Sequence, residues 1–265
     1  MPTIRKALTE GVTTLRAAAV ESPRLDAEVL IADALGVDRG ALVADPELAI
    51  PGAAARVIGE RVRRRVAREP VAYILGRKGF RRIELLVDRR VLIPRPETEL
   101  LVEVALDLPP GARVHDVGTG SGAVALALID ERPDLVVSAS DASAAAVELA
   151  RQNAARLGLP LEVTVERGLP SGTWEMVVGN LPYVREDEWE RLQPEIARWE
   201  PREALVAGAD GLDAIRAVVG GAPAGTLLAL EHAPGQAAAV RALLAGAETR
   251  FDLAGLERVT LGRAG

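Results

Sequence analysis

The sequence has no cysteine, which excludes disulfides, thiolate nucleophiles and cysteine-ligated zinc. Its two histidines, His115 and His232, leave little scope for a histidine metal site, and no metal is expected. Aromatic residues make up only 3% of the chain, so aliphatic side chains must fill any core. No apolar run reaches the length of a membrane span. The N-terminus lacks the apolar h-region of a secretory signal. A cytoplasmic protein with no membrane partner is expected.

What is present is a chain of 265 residues, 49% hydrophobic, with room for one large domain or two smaller ones. The net charge of −6 is unevenly spread. Residues 1–90 carry 17 Lys and Arg against 12 Asp and Glu, or +5; residues 91–265 carry 15 against 26, or −11. A basic first third could meet an acidic partner or RNA, or could be a solvated helix face.

Residues 1–70 read as a small helical bundle without strand signal. Ile4, Leu8, Val12, Leu15 and Ala19 recur at helical spacing over 3–19. Ser22-Pro23 suits a helix start and Gly36 a stop. A short helix is expected near 40–43, and Pro51 opens another through about Glu69, its end crowded by Arg61, Arg63, Arg64, Arg65 and Arg68. Residues 71–94 read as a hairpin-containing linker of short β-like runs broken by glycine, Tyr73-Ile-Leu-Gly76 among them. Pro94 and Pro96 then stiffen a segment presenting Arg95, Glu97 and Thr98. From 95 to 265 strand and helix patterns alternate, which implies an α/β domain with a mostly parallel sheet of seven strands covered on both faces. The strands are expected near 113–117, 135–140, 161–165, 174–179, 225–230, 248–252 and 257–262.

Two stretches carry chemistry. In Arg113-Val-His-Asp-Val-Gly-Thr-Gly-Ser-Gly122, a strand enters a glycine turn and an apolar helix leaves it. Glycine lets a ligand approach bare backbone, and a helix start offers unpaired N–H groups. Gly118, Gly120 and Ala123 fit the dinucleotide pattern G-x-G-x-x-G/A, with Asp141 at the distance of a ribose contact. Gly118, Gly120 and Gly122 instead fit the tighter G-x-G-x-G that opens the S-adenosylmethionine (SAM) site of class I methyltransferases. Asp141 could equally cap a helix starting at Ala142. The second stretch, Asn180-Leu-Pro-Tyr183, ends a strand beside that turn. It offers an amide, a backbone carbonyl before a rigid Pro, and an aromatic face, parts that suit a planar amine or amide with two N–H bonds.

Together, Asp116-Val-Gly-Thr-Gly-Ser-Gly122 and Asn180-Leu-Pro-Tyr183 resemble the amino-methyltransferases. With Ser22-Pro-Arg-Leu-Asp-Ala-Glu28, Glu69-Pro-Val-Ala-Tyr-Ile-Leu-Gly76, Leu92-Ile-Pro-Arg-Pro-Glu-Thr-Glu99, Glu200-Pro-Arg-Glu-Ala-Leu205 and Asp210-Gly-Leu-Asp213, the whole chain is similar to the release factor glutamine methyltransferase family. The resemblance implies a helical N-terminal domain and a class I, Rossmann-like methyltransferase domain. It implies SAM as cofactor, S-adenosylhomocysteine as product, and peptide chain release factors as protein substrate, methylated on the glutamine amide nitrogen (N5) of a Gly-Gly-Gln loop. Under it Gly118, Thr119, Gly120, Ser121 and Gly122 hold SAM, Asp141 its ribose, and Leu169 lies beside the adenine. Asn180, Leu181, Pro182 and Tyr183 grip the glutamine amide, Asn180 also touching SAM. Departures are Leu181 in place of the usual first Pro and Gly168 where an Asp is common. The rival readings are an N6-adenine methyltransferase acting on RNA or DNA, a nicotinamide-dependent oxidoreductase, and a non-catalytic SAM-binding relative. With an acidic catalytic domain and a pI near 5.2, nucleic acid is not expected as a direct partner, and a monomer is expected.

Overall fold

Ile4, Leu15, Leu30, Ile31, Leu42, Ile50 and Ile58 are large aliphatic side chains that the first stretch of chain buries, and they set its helices. A computed structural model, describing Met1–Gly265, places α1 at Ile4–Ala17, α2 at Pro23–Leu35, α3 at Arg39–Ala44, α4 at Gly52–Val66 and α5 at Val71–Leu75. Thr3 caps α1 and Asp38 caps α3 through side-chain oxygens, while Pro23 opens α2 and Gly36, in the left-handed region, closes it. Ile4, Ile31, Leu42, Ile50 and Ile58 form one apolar cluster, and Leu15, Val20 and Ala27 a second. This helical unit spans Met1–Gly76 and takes in a second piece of chain, Gln193–Trp199.

The arginines crowding the end of α4 are neutralised within this unit. Arg61 pairs with Asp33 at 2.6 Å, Arg64 with Glu69 at 2.6 Å, and the buried Arg65 with Asp26 and Glu195, each at 2.7 Å. Arg68 also grips Glu195, at 2.6 Å. Burial alone would raise the Glu195 carboxyl, but hydrogen bonds from Arg68 and Arg65 outweigh it and hold the group below its ordinary value.

Tyr73-Ile-Leu-Gly76, expected as β-like, is instead the helix α5. Pro70 opens it and Gly76, at φ +73°, ends it. The punctuation marks both ends of a short element but does not state its type. A hairpin follows, β1 Arg77–Phe80 paired antiparallel with β2 Ile83–Leu86. It belongs to the second unit, Arg77–Leu192 with Glu200–Gly265.

That unit continues with α6 (Glu99–Ala105), β3 (Arg113–Val117), α7 (Ala123–Glu131), β4 (Val136–Asp141), α8 (Ala144–Leu157), β5 (Glu162–Val165), β6 (Met176–Gly179), β7 (Leu227–Glu231), β8 (Ala245–Phe251) and β9 (Glu257–Arg263). A helix at Asp213–Gly221 precedes β7, and a shorter one at Ala237–Arg241 follows it. The 7-stranded sheet runs β5-β4-β3-β6-β7-β9-β8, with β9 antiparallel to both neighbours and the other pairings parallel. Apolar clusters cover both faces. Leu101, Leu126, Leu128 and Val147 lie on one; Ile215, Val218 and Val240 lie on the other. β3 and β6 are neighbours although β4 and β5 intervene in sequence, so strand order reverses between them. In an open parallel sheet, that switch point leaves a crevice at the carboxyl edge.

His115, on β3, is buried and takes no part in that crevice. Its ring nitrogens face the hydroxyls of Ser138 and Ser140 at 2.9 Å each, and its ring lies 4.9 Å from that of Trp174. Burial pushes it down to about 4, so it is a neutral core histidine.

Candidate active site

The crevice is a cleft of about 920 Å³. Its floor is the turn after β3. Gly118, Gly120 and Gly122 have φ of +73°, +57° and +83°, conformations that a Cβ disfavours. Backbone N–H groups of Gly118 and Thr119 donate to the Ser140 carbonyl at 2.9 and 3.0 Å. Asp116 anchors the turn from below, accepting from the Thr119 hydroxyl at 2.6 Å and from the Ala125 N–H at 3.2 Å. Burial pushes its carboxyl up to about 6, against the pull of those two donors.

Asp141 closes β4 and faces the turn. Its Oδ2 accepts from the Gly120 N–H at 2.9 Å and its Oδ1 from the Ser143 N–H at 2.8 Å. Burial raises this carboxyl, and the two N–H donors oppose the rise. It does not cap a helix at Ala142: α8 begins at Ala144, and the Ser143 hydroxyl is the cap. Each Asp141 oxygen keeps acceptor capacity toward the cleft.

Asn180 follows β6, beside the turn. Its Nδ2 donates to the Thr98 hydroxyl at 2.9 Å. Leu181 is buried, packing with Val117, Leu212 and Leu230. The Tyr183 hydroxyl donates to Glu231 Oε1 at 3.4 Å, and its carbonyl accepts from Gln236 Nε2 at 2.9 Å. Burial raises the phenol above its ordinary value, and the nearby Glu231 charge adds to that.

Most of the expected residues therefore meet at one cleft. Gly118, Thr119, Gly120 and Ser121 line it, as do Asp141 and Leu169. Asn180, Leu181 and Pro182 line it too, with Leu181 against Gly118. Gly122 and Tyr183 are not among its lining residues: Gly122 precedes α7 as its cap, with Leu126 packed 2.9 Å from where a Cβ would stand. Three supporting residues escaped the sequence reading. Asn153, fully buried on α8, donates to the carbonyls of Ser121 and Leu86 and accepts from the Leu86 N–H at 2.7 Å. Glu200 accepts from the Ile93 N–H at 3.0 Å and pairs with Arg95, fixing the segment that carries Pro94 on the cleft wall. Glu231 ends the apolar strand β7. Glu200 opens one of the stretches that carry the family resemblance and Glu231 closes an otherwise apolar run, whereas Asn153 carried no signal.

The donor set fits SAM, which is cationic at its sulfonium and ammonium. The cleft presents Asp141, Glu166, Glu203 and Asp213 against Arg90 and Arg167, a balance that repels a dinucleotide's diphosphate. Bare glycine backbone and the apolar Leu169 and Val218 complete its lining. No group of three His, Asp or Glu side chains stands where it could hold a metal ion.

A seven-stranded, mostly parallel sheet with a glycine turn after β3 and an Asn-x-Pro-Tyr motif after the neighbouring β6 defines a class I SAM-dependent methyltransferase. The PrmC N-terminal domain family matches residues 6–76, and the methyltransferase small domain family matches residues 96–197. A release factor glutamine methyltransferase of Xylella fastidiosa is 41% identical over 95% of this chain and 97% of its own. That of Pseudomonas aeruginosa is 46% identical over 91% of this chain and 93% of its own. The solved hMettl16 catalytic domain, in complex with the MAT2A 3′UTR hairpin 6, is 11% identical and covers 67% of this chain and 73% of its own, at a TM-score of 0.53; it shares the fold. The chain belongs to the release factor glutamine methyltransferase family.

Proposed function

We propose that this chain transfers the methyl group of SAM to the side-chain amide nitrogen of the glutamine in the Gly-Gly-Gln loop of peptide chain release factors, thereby modulating translation termination. The observation that carries this reading is Asn180, held by Thr98 at the end of β6 and lining the cleft together with the glycine turn. An amide nitrogen is a poor nucleophile because its lone pair is shared with the carbonyl. Asn180 Oδ1 and the Leu181 carbonyl accept the two N–H bonds of the substrate amide and return electron density to its nitrogen. Pro182 stiffens the chain after that carbonyl. Bound SAM supplies a methyl group activated by its sulfonium, and the glycine turn, Asp141 and Leu169 hold the donor in place. Alignment and fixed dipoles account for most of the rate. The methylated amide nitrogen releases its extra proton to water, so no strong base is required.

Release factor is thus the protein partner, S-adenosylhomocysteine the product, no metal takes part, and a monomer in the cytoplasm carries every group the scheme uses. No helix is long and apolar enough to cross a membrane. The adenine reading drew on the arginines near residue 65, and their internal pairing with Asp33, Glu69, Asp26 and Glu195 removes that support. Mass spectrometry of release factor after incubation with SAM tests the proposal: a single added methyl on the loop glutamine is expected. Equal methylation of a Gln→Ala loop, or better transfer to RNA, overturns it. Tyr183→Phe, which keeps the ring, should retain more transfer than Tyr183→Ala if the ring stacks on the substrate.

A further inference from the structure

The transfer scheme leaves one buried carboxyl unused, Glu231, and gives the hydroxyl of Thr98 no role beyond holding Asn180. Thr98 and Glu231 are both buried, at 4% and 1% exposure. Thr98 and Asn180 line the cleft; Glu231 does not. The Thr98 hydroxyl accepts from Asn180 Nδ2 at 2.9 Å, and Thr98 stands near enough to the Glu231 carboxyl to lower its proton affinity. The Tyr183 hydroxyl takes Oε1 of that carboxyl, at 3.4 Å, whereas Oε2 is buried without a partner. Thr98 thus has a hydrogen to place, and Glu231 has acceptor capacity to fill.

An amide and a hydroxyl can pair in either sense, N–H to hydroxyl oxygen or O–H to amide oxygen. A carboxylate breaks that symmetry because it only accepts. With Glu231 ionised, the Thr98 hydroxyl can only donate toward it, which leaves the Thr98 oxygen to accept from Asn180. The Asn180 Nδ2 is then committed to Thr98, and Oδ1 is left for the cleft. We propose that Glu231, acting through Thr98, is the positioning residue that decides which end of the Asn180 amide meets the substrate. This rests on the reading of Asn180 as the substrate's acceptor.

The arrangement gives a pH dependence. Burial pushes Glu231 up to about 7, with Glu97 adding to the rise and Thr98, Tyr183 and Arg258 opposing it. Protonated Glu231 can donate to Thr98, and Thr98 can then donate to Asn180 Oδ1, reversing the amide. Turnover should therefore rise as pH increases through about 7.

The test uses the full chain with SAM and intact release factor. It measures kcat and KM for release factor, SAM affinity by calorimetry, and thermal melting. Thr98→Val keeps volume and removes the hydroxyl. It should lower kcat by about 10- to 100-fold, the usual loss for a supporting partner, with KM and SAM affinity nearly unchanged and the rise in turnover near pH 7 abolished. Thr98→Ser should restore most of both. Glu231→Gln supplies a permanent donor and should lower kcat similarly. In the double variant Thr98→Val with Glu231→Gln, the losses should not multiply, because the two act through one amide. A folded Thr98→Val protein with wild-type kcat and pH profile overturns the proposal, as do losses that multiply. Should Glu231→Gln fail to fold, the Val and Ser variants and the pH profile decide alone. Asn180→Ala separates the two levels. If it keeps wild-type turnover, the reading of Asn180 itself falls; if it loses turnover while Thr98→Val does not, only the role of Glu231 falls.

Discussion

Gly120 puts left-handed backbone on the floor of the cleft. Its φ is +57°, its N–H is committed to Asp141, and no atom lies within 4 Å of where its Cβ would be. Gly120→Val therefore meets no clash, but it forces a β-branched residue into the left-handed region, at a cost of about 1–2 kcal/mol, and puts methyl groups into the cleft. We expect a folded protein by circular dichroism, a lower melting temperature, and SAM affinity lost in calorimetry. Unchanged affinity would remove the cofactor assignment. His115 gives a different test, because its neutrality in the fold is a stability statement. Its imidazole is held down to about 4 in the folded chain, against an unfolded value of about 6.5. The unfolded chain therefore binds the extra proton first. This contribution is complete above pH 6.5 and is lost as pH falls toward 4. Asp116, pushed up to about 6, works in the opposite sense, losing stability as pH rises from about 4 to 6. In urea melts His115→Gln should lose less stability between pH 6.5 and 4 than the parent protein; equal slopes would contradict the assignment. Both residues were visible in the sequence, Gly120 by its motif and His115 by its rarity. Only Gly120's role could be read there, since a histidine's charge state depends on the serines and Trp174 that folding brings to it.

Elements were legible where period and punctuation agree. Alternating apolar strands and helices announced the parallel sheet, and the glycine turn and Asn180 motif fell at strand ends where a ligand edge must be. Legibility failed at short elements and at distant partners. Val71–Leu75 has one turn's worth of pattern, too little to separate strand from helix, and Asp141's partners depend on where α8 begins. The strand order is set by packing between strands far apart in sequence. Asn153 shows the cost of that long reach: on α8 it reads as one more polar residue, yet it joins Leu86 at the end of the hairpin to Ser121 in the turn. Asn153→Ala would strand a buried N–H and two carbonyls. At about 1–3 kcal/mol for each group left unsatisfied, with some relaxation, we expect a loss of several kcal/mol in chemical denaturation and weakened SAM binding through the loosened turn. A loss below about 1 kcal/mol would show that water replaces the amide. Leu181 is an element-scale matter too: its side chain belongs to the core beneath the turn, so the departure from the family's Pro is a packing choice, and Leu carries the same backbone carbonyl that Pro would.

At the scale of the whole chain, charge and connectivity point to one division of labour. The residues that line the cleft all lie in the unit of Arg77–Leu192 and Glu200–Gly265, while Met1–Gly76 contributes none of them. The helical unit instead claims Gln193–Trp199, a piece of chain that leaves the methyltransferase unit shortly after the Asn180 motif and returns to it at Glu200. Glu195 in that piece is clasped by Arg65 and Arg68. Arg65 is buried, and stripping one partner from a buried ion pair typically costs about 3–5 kcal/mol. The helical unit is therefore completed by sequence from the other, and a cut at Gly76 leaves Glu195 without its arginines. A chain of residues 77–265 keeps the hairpin, Asn153, the glycine turn, Asp141 and Asn180. We expect it to bind SAM in calorimetry with near-parental affinity, to show increased protease sensitivity at 193–199, and to methylate intact release factor poorly. Glu195→Gln in the full chain should lower the melting temperature while leaving SAM affinity intact. Full transfer to release factor by the truncated chain would show that the helical unit does not recognise the protein partner. Loss of SAM binding in a truncated chain that retains its sheet by circular dichroism would show that the helices support the cleft itself.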